Sequence, residues 1–186
     1  MVGGKMHLSF AEYTVTLSAW ASEREMLDFL AQCKTGNVLI NEGEEYSSKF
    51  YTATVYFNAT EDKFGIGLCS ESHGLTPNLL LQPESRTLLF GFNSQVTGVR
   101  MPAGDIVFQL ELPHYFYSFL SVNKQGLVLV VYETGLIAVT MEGKELWKYD
   151  GRDVITDWRV EGNHIYASFM SSASVDVDID TGKPSR

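Results

Sequence analysis

Apolar residues occupy alternate positions through most of the first twenty: Leu8 and Phe10, then Tyr13, Val15, Leu17 and Ala19, with a slip near Ala11–Glu12. This spacing predicts one bulged strand over 6–20. The period then changes. Met26, Leu27, Phe29, Leu30 and Cys33 make one stripe at helical spacing behind Ser22-Glu23-Arg24-Glu25. Those four residues read as a capping box, in which Ser22 accepts the Glu25 amide proton and the Glu25 carboxylate reaches back to the Ser22 amide. Lys34 and Gly36 supply a cationic last turn and a glycine stop, so the pattern predicts a single helix over 23–34.

From Val38 onward the pattern is β. The runs 38–40, 49–58, 65–70 and 86–92 are rich in β-branched and aromatic residues, and turn-forming clusters at 41–43, 60–63 and 72–77 separate them. Pro83, Pro102 and Pro113 fall between apolar runs, where the missing amide proton breaks no ladder. Gly65-Ile66-Gly67 lacks the third glycine and the following helix of a dinucleotide fingerprint, and reads as a strand approached closely by its neighbours. Tyr115, Phe116, Tyr117 and Phe119 crowd one short strand. Such a run is either covered on both faces or presents an aromatic patch to a partner.

The second half repeats. Gly104, Gly143 and Gly182 stand 39 residues apart in each step, and each closes a turn after an alternating run: 96–101, 136–141 and 175–179. Further strands precede these runs at matching positions, at 88–92, 127–132 and 165–170. Phe108 and Trp147 each lie four residues after a glycine, so the repeat predicts equivalent places for them near Gly104 and Gly143. Four short strands in about 40 residues is the size of one propeller blade.

Three stretches carry a family resemblance: Gly143-Lys144-Glu145-Leu146-Trp147-Lys148-Tyr149, then 160–168 (VEGNHIYAS), then Asp180-Thr181-Gly182-Lys183. Together they resemble the blade repeat of quinoprotein-type (PQQ-like) and WD-type propellers, with a G-K-x-x-W-x-Y strand, a D/E-G-x-x-Y strand and an x-D-x-x-T-G-K turn in that order. The resemblance covers 127–183 well, 88–122 loosely and the first 80 residues not at all. It implies architecture only, because the WD dipeptide is absent and no residue takes a quinone-binding role. Two and a half repeats also fall short of a closed ring. The expected fold is therefore mostly β (α+β): an antiparallel sheet or small propeller-like set of β repeats with one N-terminal helix. It forms a single domain over 1–186, with a strand-helix-strand part at 6–80 and blade-like repeats at 86–186.

At 186 residues, 45% of them hydrophobic and 20% charged, the chain has the composition of an ordinary globular protein. Its apolar runs are far shorter than the roughly 18 residues of a membrane helix. The two cysteines, Cys33 and Cys69, are expected as free thiols in a reducing, cytoplasmic setting. The formal charge of −9 disfavours direct contact with nucleic acid.

Motifs for chemistry are sparse. Four histidines, at 7, 73, 114 and 164, show no metal-ligand spacing, and neither a GxSxG elbow nor a Walker loop occurs. His73 near Cys69 is the nearest approach to a catalytic pair, and Asn58-Ala59-Thr60 is a glycosylation sequon by letter alone. Asp176, Asp178 and Asp180 resemble the start of a calcium loop, yet the sixth position is Thr181 where the loop needs glycine. They read instead as the wet face of a strand whose Val175, Val177 and Ile179 point inward.

No cofactor is expected and no enzyme activity. What remains is charge: Glu42, Glu44 and Glu45 in one turn, Glu61 and Asp62 in another, and the three aspartates near the end. These acids are the candidate partner-binding residues of a protein that neutralises a basic protein partner. In its small size and acidity the chain resembles bacterial immunity proteins, which block nuclease toxins by covering a basic active site. The competing expectations are an enzyme or carbohydrate-binding module with its site in strand-end loops, and a scaffold module of a larger propeller.

Overall fold

The computed structural model describes residues 13–41, 47–57, 62–72, 75–82, 85–120 and 126–185, together with the backbone of 6–9. Among these residues sixteen strands and one helix form, the mostly β architecture that the alternation predicts. They divide into two units: Met1–Gly74 with Arg100–Asp105, and Leu75–Val99 with Ile106–Arg186.

In the first unit, β1 (Met6–Ser9) and β2 (Tyr13–Trp20) pair antiparallel with His7 opposite Thr16. The predicted single bulged strand is thus two antiparallel strands, β1 and β2. Helix α1 (Glu23–Leu30) follows. Ser22 caps it by accepting the Glu25 amide at 3.2 Å, while the Glu25 carboxylate accepts from the amide of Ala21 at 3.3 Å, one residue before the amide expected. The helix ends four residues earlier than predicted, because the amides of Gln32 and Cys33 turn to the carbonyls of Phe29 and Leu30, each at 3.0 Å. Then come β3 (Gly36–Ile40), β4 (Ser47–Phe57) and β5 (Lys63–Glu71).

β4 pairs antiparallel with β2 and with β5, whereas β3 runs parallel to β5 with Val38 opposite Ile66. The sheet order β1-β2-β4-β5-β3 therefore contains an antiparallel meander with α1 and β3 spliced between its second and third strands. Met26 and Leu30 on α1 pack with Cys69, Trp20, Leu39 and Phe50. A Cβ at Gly65 would strike Leu30 and Cys33, and one at Gly67 would strike Leu30 and Leu39. The two glycines are what let the helix lie close on β5. Both cysteines are buried thiols that form no disulfide.

The second unit holds three sheets, each in chain order, apart from Arg100 and Asp105 at the ends of β8 and β9, which belong to the first unit. The first contains β6 (Asn78–Gln82), β7 (Thr87–Phe92), β8 (Gln95–Arg100) and β9 (Asp105–Glu111). The second contains β10 (Phe116–Leu120), β11 (Leu127–Tyr132), β12 (Gly135–Thr140) and β13 (Glu145–Asp150). The third contains β14 (Ile155–Glu161), β15 (His164–Phe169) and β16 (Val175–Asp178).

The inner strands of the middle sheet, β11 and β12, are apolar on both faces. Along β11, Val128, Val130 and Tyr132 enter a core with Leu89 and Val96 of the first sheet, while Leu129 and Val131 enter a core with Ile165, Ala167 and Val177 of the third. β12 divides in the same way, with Ile137 and Val139 on one side and Leu136 and Ala138 on the other. The aromatic strand β10 lies at a sheet edge and is covered on both faces, since Phe116 joins the first core and Tyr117 the second.

Gly104, Gly143 and Gly182 all adopt left-handed backbone, with φ of 79°, 78° and 66°. The structure corrects what lies beside them. Phe108 and Trp147 do share one environment, but each ring covers the glycine of the following turn: Phe108 lies over Gly143 and Trp147 over Gly182. Within the first unit Phe64 stands against Gly104 in the same manner.

Candidate functional site

The third sheet has a polar outward face running across all three of its strands. Its inner face carries Ile155, Ile165, Ala167, Phe169 and Val177, all buried. Strand pairing arranges the opposite side chains in rows. Glu161 lies opposite His164, which lies opposite Asp178; Arg159 lies opposite Tyr166, which lies opposite Asp176. Asp157 pairs with Ser168, whose hydroxyl meets that of Ser174 at 3.1 Å.

Short contacts tie these rows together. Arg159 Nε donates to Glu161 Oε1 at 2.6 Å, and the guanidinium lies 4.7 Å from the centre of the Tyr166 ring. His164 Nδ1 is hydrogen-bonded to Asp176 Oδ1 at 2.8 Å. Asp157 is exposed and makes no hydrogen bond or ion pair among the described residues.

Asp178 works differently. Its Oδ1 accepts from the Thr181 hydroxyl at 2.8 Å, the Thr181 amide at 2.9 Å and the Asp180 amide at 3.1 Å, and its Oδ2 accepts from the Asn163 side-chain amide at 2.9 Å. The Thr181 hydroxyl bond first, then the amide bonds, hold the Asp178 carboxyl below the usual carboxylate range. Asp178 thereby fixes the turn that presents Gly182 to Trp147, which gives the D-x-x-T-G-K pattern a physical reason. Asp153 fixes a neighbouring loop in the same way: bonds from the Ser171 amide at 2.8 Å and the Ser172 hydroxyl at 2.8 Å lower its pKa.

Of the acids singled out by sequence, Asp176 and Asp178 lie on β16 with Val177 buried between them. Asp180 lies beyond the strand end, in the turn, and reaches the same Asn163 amide at 3.0 Å. Asp62 belongs to the first unit, where its carbonyl accepts the Phe57 amide at 3.5 Å. Glu42, Glu44, Glu45 and Glu61 lie outside the described residues, as do His73 and the sequon. The residues that sequence reasoning passed over are Asp157, Arg159, Glu161, His164 and Tyr166. Their signal was present, because His164, Tyr166 and Ser168 alternate with buried Ile165, Ala167 and Phe169. Among the described residues no three His, Cys, Asp or Glu side chains converge as metal ligands would, and no helix is long and apolar enough to cross a membrane.

Comparison with known proteins bears on the fold. The chain matches no known family and no curated protein sequence. Its structure is similar to that of Saccharomyces cerevisiae Sqt1, with a TM-score of 0.54 and 13% identity over 78% of this chain and 45% of that one. It is similar to the AfRom2 CNH domain, with a TM-score of 0.55 and 12% identity over 100% of this chain and 54% of that one. It also resembles the dihydro-heme d1 dehydrogenase NirN in complex with DHE, with a TM-score of 0.55 and 11% identity over 74% of this chain and 33% of that one. These neighbours include propeller-type folds, and the successive strand sheets of this chain are consistent with propeller-like blades. At such identities the likeness concerns fold alone, and the chain spans a third to about half of the length of these neighbours.

Proposed function

We propose that this protein is a non-enzymatic binding module of propeller type that takes a basic protein as its partner. One observation carries the reading: the outward face of the third sheet holds the carboxylates of Asp157, Glu161, Asp176 and Asp178 against the single guanidinium of Arg159, in a chain of net charge −9. Opposite charge on a partner gains both association rate and selectivity. The most concrete form of this reading is an immunity protein that covers the basic active site of a bacterial nuclease toxin, and charge is its support. The test is affinity capture followed by reconstitution from purified components. The reading predicts a stoichiometric complex with a protein of net positive charge. A neutral or acidic partner that binds equally at low and high salt would contradict it.

A second reading has its own observation. Because the chain spans only a third to about half of each neighbour, its blades fit one arc of a larger propeller scaffold. Light scattering on the protein from its source cell separates the two readings, since an arc would be recovered joined to further blades.

A further inference from the structure

We propose that the outward face of β14, β15 and β16 is the docking surface itself, and that its occupant is an arginine- or lysine-bearing segment of a protein, seated around Tyr166. This rests on the basic-partner reading above and adds a place to it. Three observations point to the face. The first is its composition. A sheet face kept merely wet is commonly furnished with lysine and glutamate, whereas the rows here contain no lysine and centre on a half-buried tyrosine flanked by arginine and histidine. Tyrosine and arginine are the residues that interface cores favour.

The second observation is order before binding. Arg159 is held by Glu161 at 2.6 Å and by the Tyr166 ring at 4.7 Å, and His164 is held by Asp176 at 2.8 Å. Side chains already fixed lose little rotamer freedom when a partner arrives. The third is what charge remains to be satisfied. Asp157 has neither hydrogen bond nor ion pair among the described residues, and Asp176 spends only Oδ1 on His164. These two carboxylates lie in neighbouring rows beside Tyr166, so an incoming guanidinium or ammonium finds acceptors next to the ring that Arg159 already covers on one side. A second copy of this chain is a poor occupant, because it would bring the same excess of carboxylate to the interface.

The test titrates the full chain, labelled with nitrogen-15, with a peptide of alternating arginine and glycine, and repeats the titration with two charge reversals. Asp157→Lys alters the proposed face; Glu145→Lys makes the same charge change on exposed β13. The proposal predicts amide shifts concentrated on Asp157, Tyr166 and Asp176, about tenfold weaker binding for Asp157→Lys, and little change for Glu145→Lys. Both side chains are exposed, so each variant keeps the fold, and amide spectra verify it. Equal weakening by both variants, or shifts concentrated elsewhere, would overturn the docking surface and leave the basic-partner reading standing. No binding by the unaltered protein, either to this peptide or to captured basic proteins, would remove both.

Discussion

The indole of Trp147 lies over Gly182, and its Nε1–H donates to the carbonyl of Ile179 at 2.8 Å. One side chain of the middle sheet thus holds the turn that ends the third. The left-handed glycine gives the turn its shape and leaves room for the ring. Gly162 separates these two roles, since it has φ of 60° but nothing within 4 Å of its Cβ position. Gly162→Ala should cost only the left-handed backbone penalty, about 1 kcal/mol. Gly182→Ala should add the collision with Trp147 and cost clearly more. Urea denaturation midpoints compare the two, and equal losses would show that the ring does not press on the turn.

The fit of α1 on β5 is testable by coupling. Leu30→Ala should cost about 2–5 kcal/mol as a buried truncation, and Gly67→Ala about 1–3 kcal/mol because its methyl meets Leu30 and Leu39. In the double variant the methyl enters space that Leu30 has vacated, so the combined loss should be smaller than the sum of the two. Additive losses in thermal unfolding would mean that the helix does not sit on the glycines.

Acid should loosen the Asp178 turn. The carboxyl sits below its ordinary range because Thr181 and its neighbours donate to the ionised form. Its stabilising contribution is therefore complete above the unfolded carboxylate value, about pH 3.9, and is lost as pH falls through the lower folded value. Carbon-13 titration of the Asp178 carboxyl measures the shift directly. Thr181→Val removes the hydroxyl and should move the midpoint upward toward the ordinary value, with faster exchange of the residue-181 amide. An unchanged midpoint would assign the shift to another cause.

Sequence carried the repeat further than the contacts within it. The glycine period and the alternation of 127–140 locate β11 and β12 to within a residue or so, because a strand covered on both faces writes its burial as a near-continuous apolar run. The seat of Phe108 was misplaced for a definite reason. A ring that covers the next turn obeys sheet-on-sheet packing, and no short-range spacing encodes that. β3 escaped for a similar reason: its parallel place beside β5 depends on α1 carrying the chain back, whereas adjacent runs in sequence suggest hairpins. For the candidate face, the three aspartates were visible as an alternating run, but the structural task of Asp178 became plain only with the Thr181 and Asn163 bonds. The Tyr166 row depends on register between strands, which a single sequence does not display.

The central claim, an acidic module that takes a basic protein, is tested most directly by the salt dependence of association. The reconstituted partner is mixed with this protein in stopped flow at about 20 mM and about 500 mM salt, where screening lengths differ several-fold. The account predicts an association rate constant that falls about tenfold or more at the higher salt, while dissociation changes far less. An association rate that stays the same, or rises, across that range would contradict it.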